Sequence, residues 1–80
     1  MPRYYFDIRE GDDFAPDEEG IELPSLKAVQ EEAARSLADM ARDSIRKADR
    51  AAYEMAIEVR NDHGPVLQVR LTYAIDRHRH

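Results

Sequence analysis

Carboxylates are concentrated in a turn-rich segment near the start of the chain, between residues 12 and 19. Carboxylate oxygens are ligands that Ca²⁺ and Mg²⁺ prefer, so this acidic loop raises the question of a metal site. Its spacing lacks the alternating ligands of a helix–loop–helix calcium site, and a solvated acidic turn explains it better. Two alternatives stay open: a metal-dependent activity on the 12–19 loop, and a docking patch for a basic partner. The acids are Asp12, Asp13, Asp17, Glu18 and Glu19, of which the last three form the docking patch.

The other residue types that carry chemistry occur at positions that do not favour it. His63 lies in a predicted turn, and His78 and His80 form a His-x-His pair that lacks a third ligand. Ser25 precedes a helical pattern and is better explained as a helix cap than as a nucleophile, since no glycine-framed elbow surrounds it. No glycine-rich phosphate loop occurs in the sequence. We therefore expect no catalytic residue, no metal ligand, no cofactor and no enzymatic activity.

Length and composition describe a single small domain over residues 1–80. The sequence is 42% hydrophobic and 36% charged, with a formal net charge of −5 and no cysteine. Such a short chain makes one core of modest stability without disulfides to support it, so self-association is the natural additional stabiliser. A domain this acidic has little long-range attraction for phosphate backbones, which argues against a nucleic-acid partner. Because no apolar run reaches membrane-spanning length and no signal sequence is visible, we expect a cytoplasmic protein without a membrane partner.

Hydrophobic periodicity predicts two hairpins on either side of one helix. Residues 3–9, 53–59 and 67–73 alternate apolar and polar side chains, as half-buried strands do. The first strand returns through a short, interrupted piece that ends at residues 21–23, and we expect Asp17 to hydrogen-bond the turn backbone beside it. Turn residues at 61–65 close the second hairpin, and residues 75–80 have no pattern and are expected to fray.

The predicted helix begins at Leu26, after the Ser25 cap, and ends near Ala51. Its apolar side chains recur every three or four residues, which is typical of a helix buried along one side. The predicted stripe consists of Leu26, Val29, Ala33, Leu37, Met40, Ala41 and Ala48, with Ala34 and Ile45 on its shoulder.

This order of elements favours an α+β fold of ββαββ type. We expect a four-stranded, mainly antiparallel sheet with one long amphipathic helix packed on one face. Placing the first and third strands side by side keeps all neighbours antiparallel and leaves the fourth strand as a long exposed edge. Such an edge can add a strand from a second copy or from a peptide, so we expect a homodimer.

The sheet face opposite the helix is predicted to be polar. Exposed antiparallel faces usually carry chance ion pairs, and a solvated face is the simplest interpretation. The alternative is a partner surface formed by Tyr5, Asp7, Arg9, Glu58, Arg60, Gln68 and Arg70.

Two segments carry a resemblance to known proteins. The opening PRYYFDIREG at residues 2–11 and the DEEGIELP at residues 17–24, followed by an alanine- and glutamate-rich helix, resemble a family of short bacterial proteins known as a domain of unknown function. The likeness extends over nearly the whole chain, although members of that family often have His at the position of Asp7. The resemblance implies a small domain and no particular activity.

A looser architectural likeness links the chain to antitoxin domains with a partial ribonuclease H-like fold. An antitoxin-like regulator linked to nucleic acid would need a basic groove built in a dimer from Arg35, Arg42, Arg46 and Arg50. The leading hypothesis from the sequence is a small non-enzymatic interaction or regulatory domain that self-associates through a sheet edge or face.

Overall fold

The computed structural model describes residues 1–48 and 51–78. These residues form an antiparallel sheet and one helix, in the predicted ββαββ order. The elements are β1 (Arg3–Glu10), β2 (Asp13–Ala15), β3 (Ile21–Glu22), α1 (Leu26–Arg46), β4 (Ala52–Asn61) and β5 (Gly64–Ala74). The predicted α+β class is confirmed.

The sheet has the strand order β2-β1-β4-β5, and β3 pairs with β1 on the same side as β2. The sheet therefore has five strands instead of the predicted four, because the returning strand of the first hairpin is split into β2 and β3. Pro16 has no N–H to donate to a ladder, and Gly20 takes a positive φ of 72° that a strand does not allow. The order of the strands otherwise follows the prediction, with β5 at one edge.

Helix α1 begins where the sequence predicts and ends earlier than it predicts. Ser25 has an extended φ of −157°, and its Oγ accepts a hydrogen bond from the Ala28 N–H at 3.1 Å, which is the expected N-cap. The helix stops at Arg46 and not near Ala51. The N–H of Ala48 donates to the carbonyl oxygen of Ile45, a tight final turn, and the chain must reverse direction before β4 starts at Ala52.

The buried side of α1 is narrower than the predicted stripe. Val29, Ala33, Leu37 and Ala41 are buried, and Met40 is partly buried. The prediction was wrong at the two ends of the stripe and on its shoulder. Leu26 is 58% exposed and Ile45 is 44% exposed. Ala34 is exposed, and Ala48 lies beyond the end of the helix. Only the middle of the helix is covered by the sheet, where it packs on β4 and β5.

The core lies between α1 and the face of the sheet that carries the apolar residues of β1, β4 and β5. Met55, Ile57 and Val59 of β4 are almost completely buried there, next to Tyr4 of β1. On β5 the corresponding side chains are only partly buried, because β5 is the edge strand of the sheet that the described residues form. They are Leu67, Val69, Leu71 and Tyr73.

The second hairpin turns through Asp62 and His63, between the paired residues Asn61 and Gly64. One irregularity follows, because Val59 pairs with Leu67 and Arg60 with Pro65, which leaves Val66 as a bulge. Residues 75–78 contain no helix or strand, while the other two residues of the predicted tail, Arg79 and His80, lie outside the described residues.

Candidate functional site

A buried carboxylate lies at the centre of the polar sheet face. Asp7, in the middle of β1, is only 6% exposed. Its two carboxylate oxygens accept hydrogen bonds from Arg60 Nε at 2.9 Å, from Arg60 Nη2 at 3.4 Å and from the backbone N–H of Asp17 at 2.8 Å. A buried charge requires such partners, because leaving water without them costs several kcal/mol. The sequence did not indicate this pairing, since Asp7 and Arg60 are 53 residues apart.

A second carboxylate closes the gap between β2 and β3. Asp17 accepts hydrogen bonds from the backbone N–H groups of Phe6 at 3.1 Å, Glu19 at 3.1 Å and Gly20 at 3.2 Å. The bonds from Glu19 and Gly20 confirm the predicted contact with the turn backbone. The bond from Phe6 is different in kind, because Phe6 belongs to β1 and its N–H faces the edge where a continuous second strand would have run.

The charge state of this cluster follows from its contacts. Partial burial of the Asp17 carboxylate acts to raise its pKa, but the hydrogen bonds from Phe6, Gly20 and Glu19, with help from the nearby Arg60 charge, outweigh burial and lower the pKa. The hydrogen bond to Asp7 raises the pKa of Arg60, which therefore stays a cation. Arg60 also donates through Nη2 to the carbonyl oxygen of Asp17 at 2.9 Å. The cluster acts as an internal tie between β1, β4 and the loop at residues 16–20.

The neighbouring side chains of the same face also bind one another. The guanidinium of Arg60 stacks 4.5 Å from the centre of the Tyr5 ring. Arg9 forms an ion pair of 2.9 Å with Glu58, which also accepts a hydrogen bond of 3.5 Å from Gln68.

Of the seven residues of the predicted partner surface, six are thus engaged within the chain. Asp7 is buried, and both of its carboxylate oxygens are held by Arg60 and the Asp17 N–H. The remaining one, Arg70, is exposed, and its side chain makes no ion pair or hydrogen bond with any described residue.

The acidic loop does not gather into a cation site. Asp12, Asp13, Glu18 and Glu19 are exposed, and Asp17 is occupied by backbone N–H groups. Within residues 1–48 and 51–78 no three His, Cys, Asp or Glu side chains are placed to share a metal ion. Of the predicted docking patch, only Glu18 and Glu19 therefore present free carboxylates to solvent.

The histidines and the helix arginines are similarly dispersed. His63 and His78 are exposed at opposite ends of β5 and its extension, while His80 lies outside the described residues. Arg35 pairs with Glu32 at 2.8 Å, and Arg42 pairs with Asp39 one helical turn away. A basic groove of Arg35, Arg42, Arg46 and Arg50 is therefore partly neutralised by acids of the same helix, and Arg50 is not among the described residues.

A cleft that the sequence did not indicate lies between the end of α1 and the sheet. Its volume is about 430 Å³, and the Ser44 hydroxyl and the Tyr73 hydroxyl meet in it at 2.7 Å. Tyr53 and Tyr73 face each other at a ring-centroid distance of 6.3 Å. The hydroxyl contact ties the helix to the last strand of the sheet, although 29 residues separate the two side chains. The cleft is also lined by Glu10, Asp43 and Lys47, together with Met40 and Ala48.

The edge of the sheet at β5 is open. Among the described residues β5 pairs with β4 alone, over Gly64–Ala74. Hydrogen bonds in an antiparallel ladder join every second opposed pair. The N–H of Ile75 donates to the carbonyl oxygen of Ala51 in the same register, so the odd-numbered residues of β5 from Leu67 onward direct their backbone groups toward β4. Their even-numbered neighbours direct theirs outward; these are Gln68, Arg70, Thr72 and Ala74.

No described helix is both long enough and apolar enough to cross a membrane.

Comparisons with known proteins add one finding. No curated protein and no solved structure matches the chain. The profile of one family, described as a domain of unknown function, matches residues 3–72, from the start of β1 nearly to the end of β5. On this match the chain belongs to the family of the domain of unknown function DUF6894.

Proposed function

We propose that this chain is a small non-enzymatic interaction or regulatory domain that self-associates through the open β5 edge of its sheet. The observation that supports the proposal is the difference between the two edges. One edge is closed by the chain itself, and the backbone groups of the other have no partner within residues 1–48 and 51–78.

The closed edge is that of β1. Its two ends are paired with β2 and β3, and between them the Asp17 carboxylate takes the N–H of Phe6. An open strand edge can recruit strands from other chains, and proteins usually block such edges with short strands, charges or covering loops. The first hairpin does all three, since β2 has three residues, β3 has two, and the loop between them is acidic.

The open edge lacks comparable protection. Strand β5 has 11 residues, the longest strand of the sheet. Pro65 and the bulge at Val66 interrupt its first part, but from Leu67 to Ala74 the only charged residue is Arg70. A partner strand that pairs with this edge gains main-chain hydrogen bonds, and the partly buried apolar side chains beside the edge gain further burial.

A cytoplasmic location is part of the proposal. The sequence contains no cysteine, which suits a protein that does not depend on an oxidising compartment.

The test is the molar mass in solution, measured by light scattering from micromolar to millimolar concentrations. We expect the mass to approach twice the 9.3 kDa of one chain as the concentration rises. Arg70→Pro should keep the chain monomeric, because proline removes an N–H that points away from β4, and so does not break the internal ladder. Arg70→Ala is the matched control: it removes the same side chain, keeps the N–H and should still dimerise.

Circular dichroism spectra of both variants establish that they fold. Should Arg70→Pro fail to fold, Gln68→Pro removes another outward N–H and takes its place. A strict monomer at all concentrations, or a folded Arg70→Pro variant that dimerises as well as wild type, would contradict the proposal.

A further inference from the structure

We infer that the strand that occupies the β5 edge is β5 of a second copy, paired antiparallel about a two-fold axis through Val69. The inference rests on the proposed function and adds to it the partner and the register. It follows from the symmetry of the strand, from the position of Arg70 and from the distribution of charge over the molecule.

Symmetry limits the registers that two copies can adopt. A two-fold axis perpendicular to the sheet makes the neighbouring strands antiparallel and keeps both α1 helices on the same side of a continuous sheet. Side chains opposite each other then lie on the same face, so an even-numbered residue pairs with an even-numbered one. The outward N–H and C=O groups of Gln68, Arg70 and Thr72 satisfy this condition.

Only the register about Val69 places Arg70 opposite Gln68 of the partner subunit. Val69 is the middle of Leu67–Leu71, a part of β5 that lies beyond Pro65 and the bulge at Val66. An axis through Gln68 places Arg70 opposite Val66 of the partner subunit, at the bulge. The axis through Arg70 places two arginines directly opposite each other, which destabilises a strand pair.

In the register about Val69 each Arg70 lies opposite Gln68 of the partner subunit, and the two residues exchange backbone hydrogen bonds. Gln68 is neutral and already touches the carboxylate of Glu58 on the next strand. The guanidinium of Arg70, which has no partner among the described residues, thus approaches a carboxylate across the interface.

The helix-side face of the seam is apolar. Val69 lies opposite Val69 of the partner subunit, and Leu67 lies opposite Leu71 of the partner subunit. These side chains are only partly buried in one chain, because β5 pairs with β4 alone among the described residues. A second copy covers the side that the sheet leaves exposed.

The charge distribution favours approach by this edge in particular. The chain carries a net charge of −5, which opposes the association of two copies. The acids are concentrated at the other side of the sheet, since residues 1–24 contain eight acids and two bases. Strand β5 carries only the positive charge of Arg70. Two copies that meet at β5 therefore keep their acidic loops far apart.

Single-cysteine variants test the register directly, because the natural sequence has no cysteine. The odd-numbered residues direct their backbone groups toward β4, so Val69 and its symmetry mate form a pair without hydrogen bonds, in which the Cα atoms approach to about 4.5 Å. This distance lies in the range that a disulfide spans. Under mild oxidation, Val69→Cys should form a covalent dimer several-fold more completely than Gln68→Cys or Arg70→Cys. A mixture of the last two variants should form a mixed disulfide.

The outcomes separate the register from the proposed function. Efficient self-crosslinking of Gln68→Cys or Arg70→Cys, with little from Val69→Cys, would overturn the register and leave self-association through β5 intact. If light scattering detects dimers but none of the three positions crosslinks, both the register and the role of the β5 edge would be overturned. Should Val69→Cys impair folding, the mixture of Gln68→Cys and Arg70→Cys supplies the same test through exposed positions.

Discussion

The loss of one carboxylate, in Asp17→Ala, should destabilise the fold far more than its position in a loop suggests. The substitution removes the acceptor of three backbone hydrogen bonds. The N–H of Glu19 is exposed and can bind water instead, so its loss costs little. The N–H groups of Phe6 and Gly20 are partly buried and would lack a partner.

The size of the effect follows from the cost of an unsatisfied donor, about 1–3 kcal/mol for a buried group and less for a partly buried one. Two partly buried donors therefore predict a loss of about 2 kcal/mol. A domain of 80 residues has a free energy of unfolding of roughly 4–12 kcal/mol. At about 4–8 °C for each kcal/mol, the melting temperature should fall by roughly 8–16 °C.

The assay is urea unfolding of three variants, followed by circular dichroism at neutral pH and at a concentration where the wild type is monomeric. Glu18→Ala is the matched control: its carboxylate is the neighbour of Asp17 in sequence, is exposed, and should change the free energy of unfolding by less than about 0.5 kcal/mol. Asp17→Asn keeps one acceptor oxygen and should lie between the two. If Asp17→Ala and Glu18→Ala have the same stability, the assignment of Asp17 as the closure of the β1 edge is refuted.

Three further predictions concern pH and the helix. The pKa of Asp17 in the fold is lowered from 3.8, so its ionised form contributes stability above about pH 4, and this stability is lost as the pH falls through the folded-state pKa. The difference in unfolding free energy between wild type and Asp17→Asn should therefore be constant above about pH 4 and shrink below about pH 4. Ser25→Ala should cost about 1 kcal/mol through loss of the N-cap, whereas Ser36→Ala, in the helix interior, should cost much less by the same urea titration. Leu37→Ala should cost about 2–4 kcal/mol and Leu26→Ala less than about 1 kcal/mol, and equal losses in thermal unfolding would contradict the observed orientation of the helix.

Local patterns in the sequence are sufficient to predict the main helix and strands. The alternation around Phe6 and Ile57 identifies strands because each strand carries its large apolar side chains on one face. Ser25 identifies the helix start because its cap is formed within three residues. The early end of α1 was missed because residues 47–51 are acceptable in a helix by propensity. What ends the helix is the need to lead the chain back to β4, which is a constraint of the fold and not of the segment.

The contacts of the candidate site were harder to predict because they join distant parts of the chain. The tie between Asp7 and Arg60 spans 53 residues, and the bond from Phe6 to Asp17 depends on the way in which the loop folds back over β1. The sequence predicted that Asp7 and Arg60 share a face, since alternation determines faces. It could not predict that they would satisfy each other, because that requires the register of β1 against β4.

In the proposed dimer, the closed β1 edge also decides where assembly stops. A sheet with two receptive edges can add chains at both sides without limit and form a fibre. When each sheet has only one receptive edge, no such edge is left once two copies have joined. The Asp17 loop would then act as a terminator that restricts the assembly to a pair. On this basis, opening the loop exposes a second growth point, and species larger than a pair become accessible to the chain.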